Sequence, residues 1–116
     1  MAKLYFNYST MNAGKSTVLL QASHNYRENK MQTYLLTARV DDRAGTGRIA
    51  SRIGISAEAD IFAAEDNLFE KISSRLKQGS VAAIFVDEAQ FLTREQVWQL
   101  ARVVDDLRVP VLAFGL

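Results

Sequence analysis

The chain has 116 residues, 48% of them apolar and 23% charged, which is ordinary globular usage, so we expect one domain spanning residues 1–116. A balance of 14 Lys and Arg against 13 Asp and Glu, without a basic block, argues against nucleic acid as a partner. The lack of cysteine excludes disulfides, thiolate catalysis and a thiolate zinc site within these residues. No run of about 18 apolar residues occurs, so no membrane partner is expected and a cytoplasmic location is predicted.

The first half of the chain predicts the order strand, loop, helix, strand, loop. Residues 3–8 predict a strand, and the small and polar residues after them predict a loop. Apolar residues at helical spacing predict a helix over about 16–29, and residues 33–38 predict a second strand. Residues 39–54 contain three glycines and four arginines without periodicity, so a long, mobile loop is expected there, either a functional lid or partly disordered.

The second half alternates strands and helices. The predicted elements are a short strand at 60–63, a helix at 66–77, a strand at 81–86, a helix from 93 to about 107 and a strand at 111–114. Asp66 is the predicted N-cap of the first of these helices, and Thr93 with Gln96 forms a capping-box pattern at the start of the second. The alternation predicts an α/β fold in which helices flank a mostly parallel sheet. Since the sequence stops directly after a strand that should be buried, we expect a fragment truncated at its C-terminus.

A phosphate-binding loop is predicted between the first strand and the first helix. Residues 9–16 match G-x-x-x-x-G-K-[ST] at every defined position except the first, where Ser9 replaces glycine. In such a loop backbone N–H groups surround the phosphates, Lys15 supplies a charge to the β/γ oxygens and the Ser16 hydroxyl binds Mg²⁺. The predicted nucleotide contacts are Ser9, Thr10, Met11, Asn12, Ala13, Gly14, Lys15, Ser16 and Thr17. The alternative is an ordinary turn with a solvated lysine.

Two acidic residues, Asp87 and Glu88, end the apolar strand at 81–86. The carboxyl ends of parallel strands face one crevice, so these acids are expected beside the phosphate loop. There one carboxylate can hold hydrated Mg²⁺, and the other can take a proton from an attacking hydroxyl or water. The alternative is that both residues merely begin the polar connection to the next helix.

Further candidates are weaker. In the long loop, charged residues are candidates for metal or phosphate contacts, or are simply solvated; they are Asp41, Asp42, Arg43, Arg48 and Arg52. Met11 and Phe91 are candidates for a substrate pocket, or belong to the core. His24 is expected on the surface.

Three segments together resemble the cytosolic (type II) thymidine kinases, in their bacterial form. They are Met11-Asn12-Ala13-Gly14-Lys15-Ser16-Thr17 after Leu4-Tyr5-Phe6, then Asp41-Asp42-Arg43, then Val86-Asp87-Glu88-Ala89-Gln90-Phe91. The resemblance spans the chain and implies a P-loop NTPase (RecA-like) α/β fold. It also implies transfer of the γ-phosphate of ATP to the 5′-hydroxyl of thymidine.

The resemblance assigns roles by position. Glu88 matches the catalytic base, and Asp87, Asp41 and Ser16 match groups around Mg²⁺. Arg43 and Gln90 match residues at the nucleotide, whereas Met11 and Phe91 match residues beside the deoxyribonucleoside. Full-length members form homotetramers and carry a structural zinc in a C-terminal part that these residues lack. We therefore expect the 116 residues alone to be inactive.

Two alternatives to a kinase remain open from the sequence. Asp87-Glu88-Ala89-Gln90 also resembles a strand-end motif of RecA or helicase-type ATPases, although no basic stripe accompanies it. The other alternative is a nucleotide-binding fragment without catalysis.

Overall fold

The computed structural model describes residues 2–8, 15–28, 31–38, 48–50 and 56–115, and of residues 8, 15–18, 48–50 and 56–58 it describes the backbone only. The strands are β1 (Leu4–Tyr8), β2 (Thr33–Ala38), β3 (Arg48–Ala50), β4 (Ser56–Glu58), β5 (Asp60–Phe62), β6 (Ala83–Asp87) and β7 (Val111–Gly115). The helices are α1 (Lys15–Glu28), α2 (Leu68–Leu76) and α3 (Arg94–Arg102). A 3₁₀ turn, Ala89–Phe91, follows β6, and a π-helical turn, Val103–Leu107, extends α3.

Five strands form one parallel sheet in the order β1-β7-β6-β2-β5. Strand β6 lies in its centre, and all five of its residues are buried. This burial is what a continuous apolar run in a parallel sheet requires, because helices cover both faces. The predicted α/β fold with a parallel sheet is confirmed.

Alternation along β6 divides the core between the two faces of the sheet. Ile84 and Val86 pack in a cluster with residues of α2 and α3, whereas Phe85 packs in a second cluster with Leu19 and Leu20 of α1. On that second face Tyr26 of α1 meets the Phe85 ring edge-on, with ring centroids 6.0 Å apart. Because side chains alternate along a strand, Asp87 follows Phe85 on the α1 side.

The predicted N-cap of α2 is wrong by one residue. Asn67 has the extended backbone of an N-cap, and its side chain accepts a hydrogen bond from the Glu70 N–H at 3.1 Å. The Asp66 carboxylate instead accepts from the Ala63 N–H at 2.8 Å, which closes the turn before the helix. Both residue types suit caps and turns, so residue type alone does not decide between them.

The capping box of α3 is confirmed, and it extends beyond the helix. The Thr93 N–H donates to Gln96 Oε1 at 3.0 Å, and the Gln96 N–H donates to Thr93 Oγ1 at 3.1 Å. Gln96 Nε2 also donates to the carbonyls of Ala63 and Asp66, at 2.8 and 3.1 Å. The side chain is 1% exposed, so these bonds join α3 to the turn before α2 within the core.

The described part of the predicted loop at 39–54 contains a strand, which corrects that prediction. Residues 48–50 pair antiparallel with β4, with Arg48 opposite Glu58. Three-residue strands are too short to show an alternating pattern, so periodicity does not detect them. Other boundaries differ by small amounts: β6 starts two residues later than expected, and the helix predicted to end near Leu107 finishes as the π-helical turn.

Candidate functional site

The carboxyl edge of the sheet brings the end of β6 and the start of α1 to the same side. Helix α1 begins at Lys15, after the carboxyl end of β1, and it packs on the face of the sheet that carries Phe85 and Phe114. Strand β7 separates β1 from β6, which sets these two strands about 10 Å apart. Asp87 ends β6 at this edge, on this face. The N-terminus of a helix and a carboxylate therefore share one edge and one face of the sheet.

Asp87 is a buried carboxylate. Its exposed fraction is 6%, and among the described residues only Ser23, Asp87 and Gln96 are polar and buried. Burying an ionised carboxylate is costly unless hydrogen-bond donors or a cation compensate it. A buried carboxylate at a strand end is therefore suited to bind a cation or a hydrogen-bond donor.

Glu88 follows with an uncommon backbone conformation. Its φ is 58° and its ψ 42°, in the left-handed region, where residues other than glycine are strained. The turn after it is closed by hydrogen bonds from the Phe91 N–H to the Glu88 carbonyl and from the Leu92 N–H to the Ala89 carbonyl, both at 3.1 Å. Ala89 is buried and anchors the turn. Strain of this sort persists where the surroundings enforce it, and it concentrates at functional sites.

The side chain of Glu88 is held by its neighbour in the turn. Gln90 Nε2 donates to Glu88 Oε2 at 3.0 Å, and both side chains are partly buried. Phe91, the last residue of the turn, is 50% exposed, so the alternative that it belongs to the core is wrong. The structure thus brings Asp87, Glu88, Gln90 and Phe91 together at the carboxyl edge of β6.

The other sequence-predicted site residues are less fully described. Lys15, Ser16 and Thr17 form the first turn of α1, described by its backbone only. The following predicted residues lie outside the described residues: Ser9, Thr10, Met11, Asn12, Ala13, Gly14, Asp41, Asp42, Arg43 and Arg52. Arg48 lies in β3, described by its backbone only. The roles assigned to all of these residues stay predictions.

No metal centre is evident in the part of the chain that the structure describes. Among those residues, no group of three or more His, Asp or Glu side chains is placed to hold a metal ion. The predicted metal ligand Asp41 is outside that part, so the magnesium site also stays a prediction. In the same described residues, no helix is long and apolar enough to cross a membrane. His24 lies on the surface beside Glu28, as expected.

A polar cleft that the sequence does not predict lies at the opposite, amino edge of the sheet. Its volume is about 1060 Å³, and it is lined by the first residues of β2 and β5, the end of α1 and one side of α2. The Tyr34 hydroxyl donates to Asp60 there, and the Arg75 guanidinium lies 5.9 Å from the Tyr34 ring centroid. Burial, with the Asp60 carboxylate, raises the pKa of Tyr34 well above its ordinary value. These residues come from separate segments of the chain, so no local sequence motif predicts the cleft.

Comparison with known proteins identifies the family. The family model described as Thymidine kinase matches residues 2–116. Curated relatives include the thymidine kinase of Ruegeria pomeroyi, 78% identical over all 116 residues, and that of Jannaschia sp., 72% identical over the same length. The thymidine kinase of Haemophilus influenzae is 60% identical, again over the whole chain. The chain spans 59% of the first relative and 60% of the other two. It belongs to the thymidine kinase family.

Proposed function

We propose that this chain is the phosphate-handling part of a thymidine kinase, which transfers the γ-phosphate of ATP to the 5′-hydroxyl of thymidine and gives dTMP. The observation that supports this most is the pair Asp87 and Glu88 at the carboxyl edge of a buried parallel strand, on the side of the sheet where α1 begins. Open α/β sheets bind ligands at that edge. Residues 1–116 are proposed to form one nucleotide-binding domain.

The phosphates are proposed to lie at the N-terminus of α1. Unpaired backbone N–H groups at a helix N-terminus attract anions, and Lys15 adds a positive charge to them. The proposed nucleotide contacts are those of the predicted loop, together with Arg43. For Gln90 the resemblance implies a nucleotide contact, whereas its hydrogen bond to Glu88 favours another role. Phosphoryl transfer requires mainly position and charge, which such a loop supplies.

A magnesium ion is proposed to lie at this edge, beside the buried carboxylate of Asp87. Mg²⁺ prefers oxygen ligands and commonly takes one or two carboxylates in addition to substrate phosphates. Asp87 offers a buried carboxylate, and Ser16 and Asp41 are the other proposed oxygen donors. When bound, the ion would neutralise charge on the β- and γ-phosphates.

Glu88 is the proposed general base. Its carboxylate accepts the proton of the 5′-hydroxyl while that oxygen bonds to the γ-phosphorus, and the bond from phosphorus to the bridging oxygen breaks to release ADP. Met11 and Phe91 are proposed to contact the deoxyribonucleoside, and the half-exposed ring of Phe91 is accessible for this. The homotetramer, the cytoplasmic location and the structural zinc expected beyond residue 116 stay predictions for the whole protein.

The test is Glu88→Gln in the full-length protein. The amide cannot accept the proton, so we expect turnover to fall about 100-fold or more while binding of magnesium ATP is retained. Glu95→Gln is the matched control, since Glu95 is exposed in the first turn of α3 and its loss should leave turnover unchanged. A loss below about tenfold at Glu88 would remove it from the role of base.

Two further measurements separate the alternatives. ATP hydrolysis that is stimulated by DNA and independent of thymidine would favour the RecA or helicase-type ATPase. Calorimetric binding of ATP without binding of thymidine would favour the nucleotide-binding fragment. The match to the thymidine kinase family over residues 2–116 favours the kinase over both.

A further inference from the structure

We propose that Gln90 is a positioning residue for Glu88, which it orients for proton transfer instead of contacting the nucleotide itself. The inference rests on the proposed function, in which Glu88 is the base. Its basis is the hydrogen bond that Gln90 Nε2 donates to Glu88 Oε2 at 3.0 Å. A general base must lie within hydrogen-bond reach of the proton that it takes, so its orientation limits the rate.

The turn is built to make this contact with little freedom. Glu88 and Gln90 are two residues apart, and the hydrogen bond from the Phe91 N–H to the Glu88 carbonyl fixes the backbone between them. Ala89, between the two side chains, is 3% exposed and holds the turn to the core. A glutamate side chain loses rotamer freedom when it is fixed. The hydrogen bond from Gln90 restricts the Glu88 side chain before the substrate binds.

An amide is chemically suited to this position. It donates to the carboxylate without carrying a positive charge, so it orients Glu88 and does not neutralise it as a lysine or arginine would. The hydrogen bond to Oε2 limits rotation of the Glu88 carboxylate and so fixes its orientation. The neutral acid formed by the transfer still has an oxygen that can accept a hydrogen bond from the amide.

Kinetics distinguish this role from direct nucleotide contact. A side chain that binds ATP contributes to the ground state, so its loss raises KM for ATP. A side chain that orients the base contributes only during the transfer, so its loss lowers kcat and leaves KM nearly unchanged. The two roles also differ in their dependence on Glu88, since a positioning residue has nothing to position once the base is gone.

The experiment uses the full-length protein and the variants Gln90→Met, which keeps the length and removes the donor, and Gln90→Glu, which keeps the shape and replaces the donor with an acceptor. We expect kcat to fall about tenfold in the first variant and further in the second. We expect KM for ATP and for thymidine to stay within about twofold. Gln78→Met, at an exposed glutamine beyond α2, is the control and should match the wild type.

A double variant completes the test. In a Glu88→Gln background, Gln90→Met should produce no further loss of kcat, because the two residues act as one unit. A rise of KM for ATP with kcat preserved, an unchanged kcat, or an equal loss of kcat in the Glu88→Gln background would each overturn the inference. Wild-type protein without thymidine-dependent release of ADP would instead overturn the proposed function. If Gln90→Met lowers the thermal midpoint below the assay temperature, Gln90→Glu decides by the same criteria.

Discussion

Replacing Gln96 with glutamate tests two expectations for stability against each other. One comes from the hydrogen bonds of the Gln96 side chain, and the other from the general preference for Glu or Gln at this capping-box position. A capping box accepts Glu and Gln equally, and an acidic group in the first turn of a helix is usually favourable. By that rule Gln96→Glu should be neutral or stabilising. The contacts predict the opposite, because Gln96 Nε2 donates to the Ala63 and Asp66 carbonyls at 2.8 and 3.1 Å in a site that is 1% exposed.

The expected cost follows from what the substitution changes. The acceptor for the Thr93 N–H is retained, but two donated hydrogen bonds worth about 1 kcal/mol each are lost. An ionised carboxylate would also face two carbonyl oxygens, so burial raises the pKa of the introduced group. Protonating it at pH 7, from an ordinary pKa of about 4.3, costs at most about 4 kcal/mol. Together these terms give an expected loss of about 2–6 kcal/mol at pH 7.

The sign of the pH dependence provides a second check. A carboxyl whose folded-state pKa is raised carries no penalty below its unfolded pKa of about 4.3, and the penalty grows as pH rises above that value. The deficit of Gln96→Glu against wild type should therefore shrink to about 2–3 kcal/mol at pH 5, most of it from the two lost hydrogen bonds. Urea unfolding followed by circular dichroism at the two pH values measures it.

Gln99→Glu is the matched control on the same helix. Gln99 Oε1 accepts from the Leu68 N–H at 2.8 Å, at the start of α2, and glutamate keeps that acceptor. Its stability should stay within about 0.5 kcal/mol of wild type. If Gln96→Glu also stays within about 1 kcal/mol at pH 7, the two carbonyl contacts do not carry the stability assigned to them.

Two further predictions concern the two residues with left-handed backbone, Glu88 and Arg108, and the cleft around Tyr34. Arg108 is exposed and has a φ of 58°, so Arg108→Gly should raise the free energy of unfolding by about 0.5–1 kcal/mol and leave turnover unchanged. Glu88→Gly should change the free energy of unfolding by less than about 1 kcal/mol but abolish turnover. Equal effects of the two substitutions on turnover would contradict this. Burial and Asp60 raise the pKa of Tyr34, so its contribution to stability is full below about pH 10 and falls as pH rises above that value. Tyr34→Phe should cost about 1 kcal/mol at pH 7 and reduce the loss of stability between about pH 9 and pH 11; an unchanged loss would contradict it.

The parallel sheet could be predicted because its signals are local. The apolar run at 81–86 is long enough to indicate a strand buried on both faces, and Thr93 with Gln96 identifies the start of α3. The acids after that run were predicted for the carboxyl edge from one rule about parallel strands, and Asp87 and Glu88 do lie there.

The remaining features depend on contacts in the folded chain that the pattern of a single segment does not show. Asn67 caps α2 because Asp66 is engaged by Ala63, and neither residue type alone reveals that choice. The short pairing of β3 with β4 and the cleft around Tyr34 likewise arise from residues that come together only in the folded chain. Periodicity and capping rules describe one segment at a time, so they do not encode such contacts.

The two left-handed residues show why strain at the candidate site is informative. Arg108 and Glu88 share a φ of 58°, but Arg108 ends the π-helical turn two residues before Pro110, where a reversal of the chain is needed. Helices often end with a residue in this conformation, so that strain has a structural cause. Glu88 ends no helix: it follows a buried strand, and glycine would satisfy its backbone with less strain. A strained carboxylate at such a position, hydrogen-bonded by Gln90, is consistent with the proposed role of Glu88 as general base.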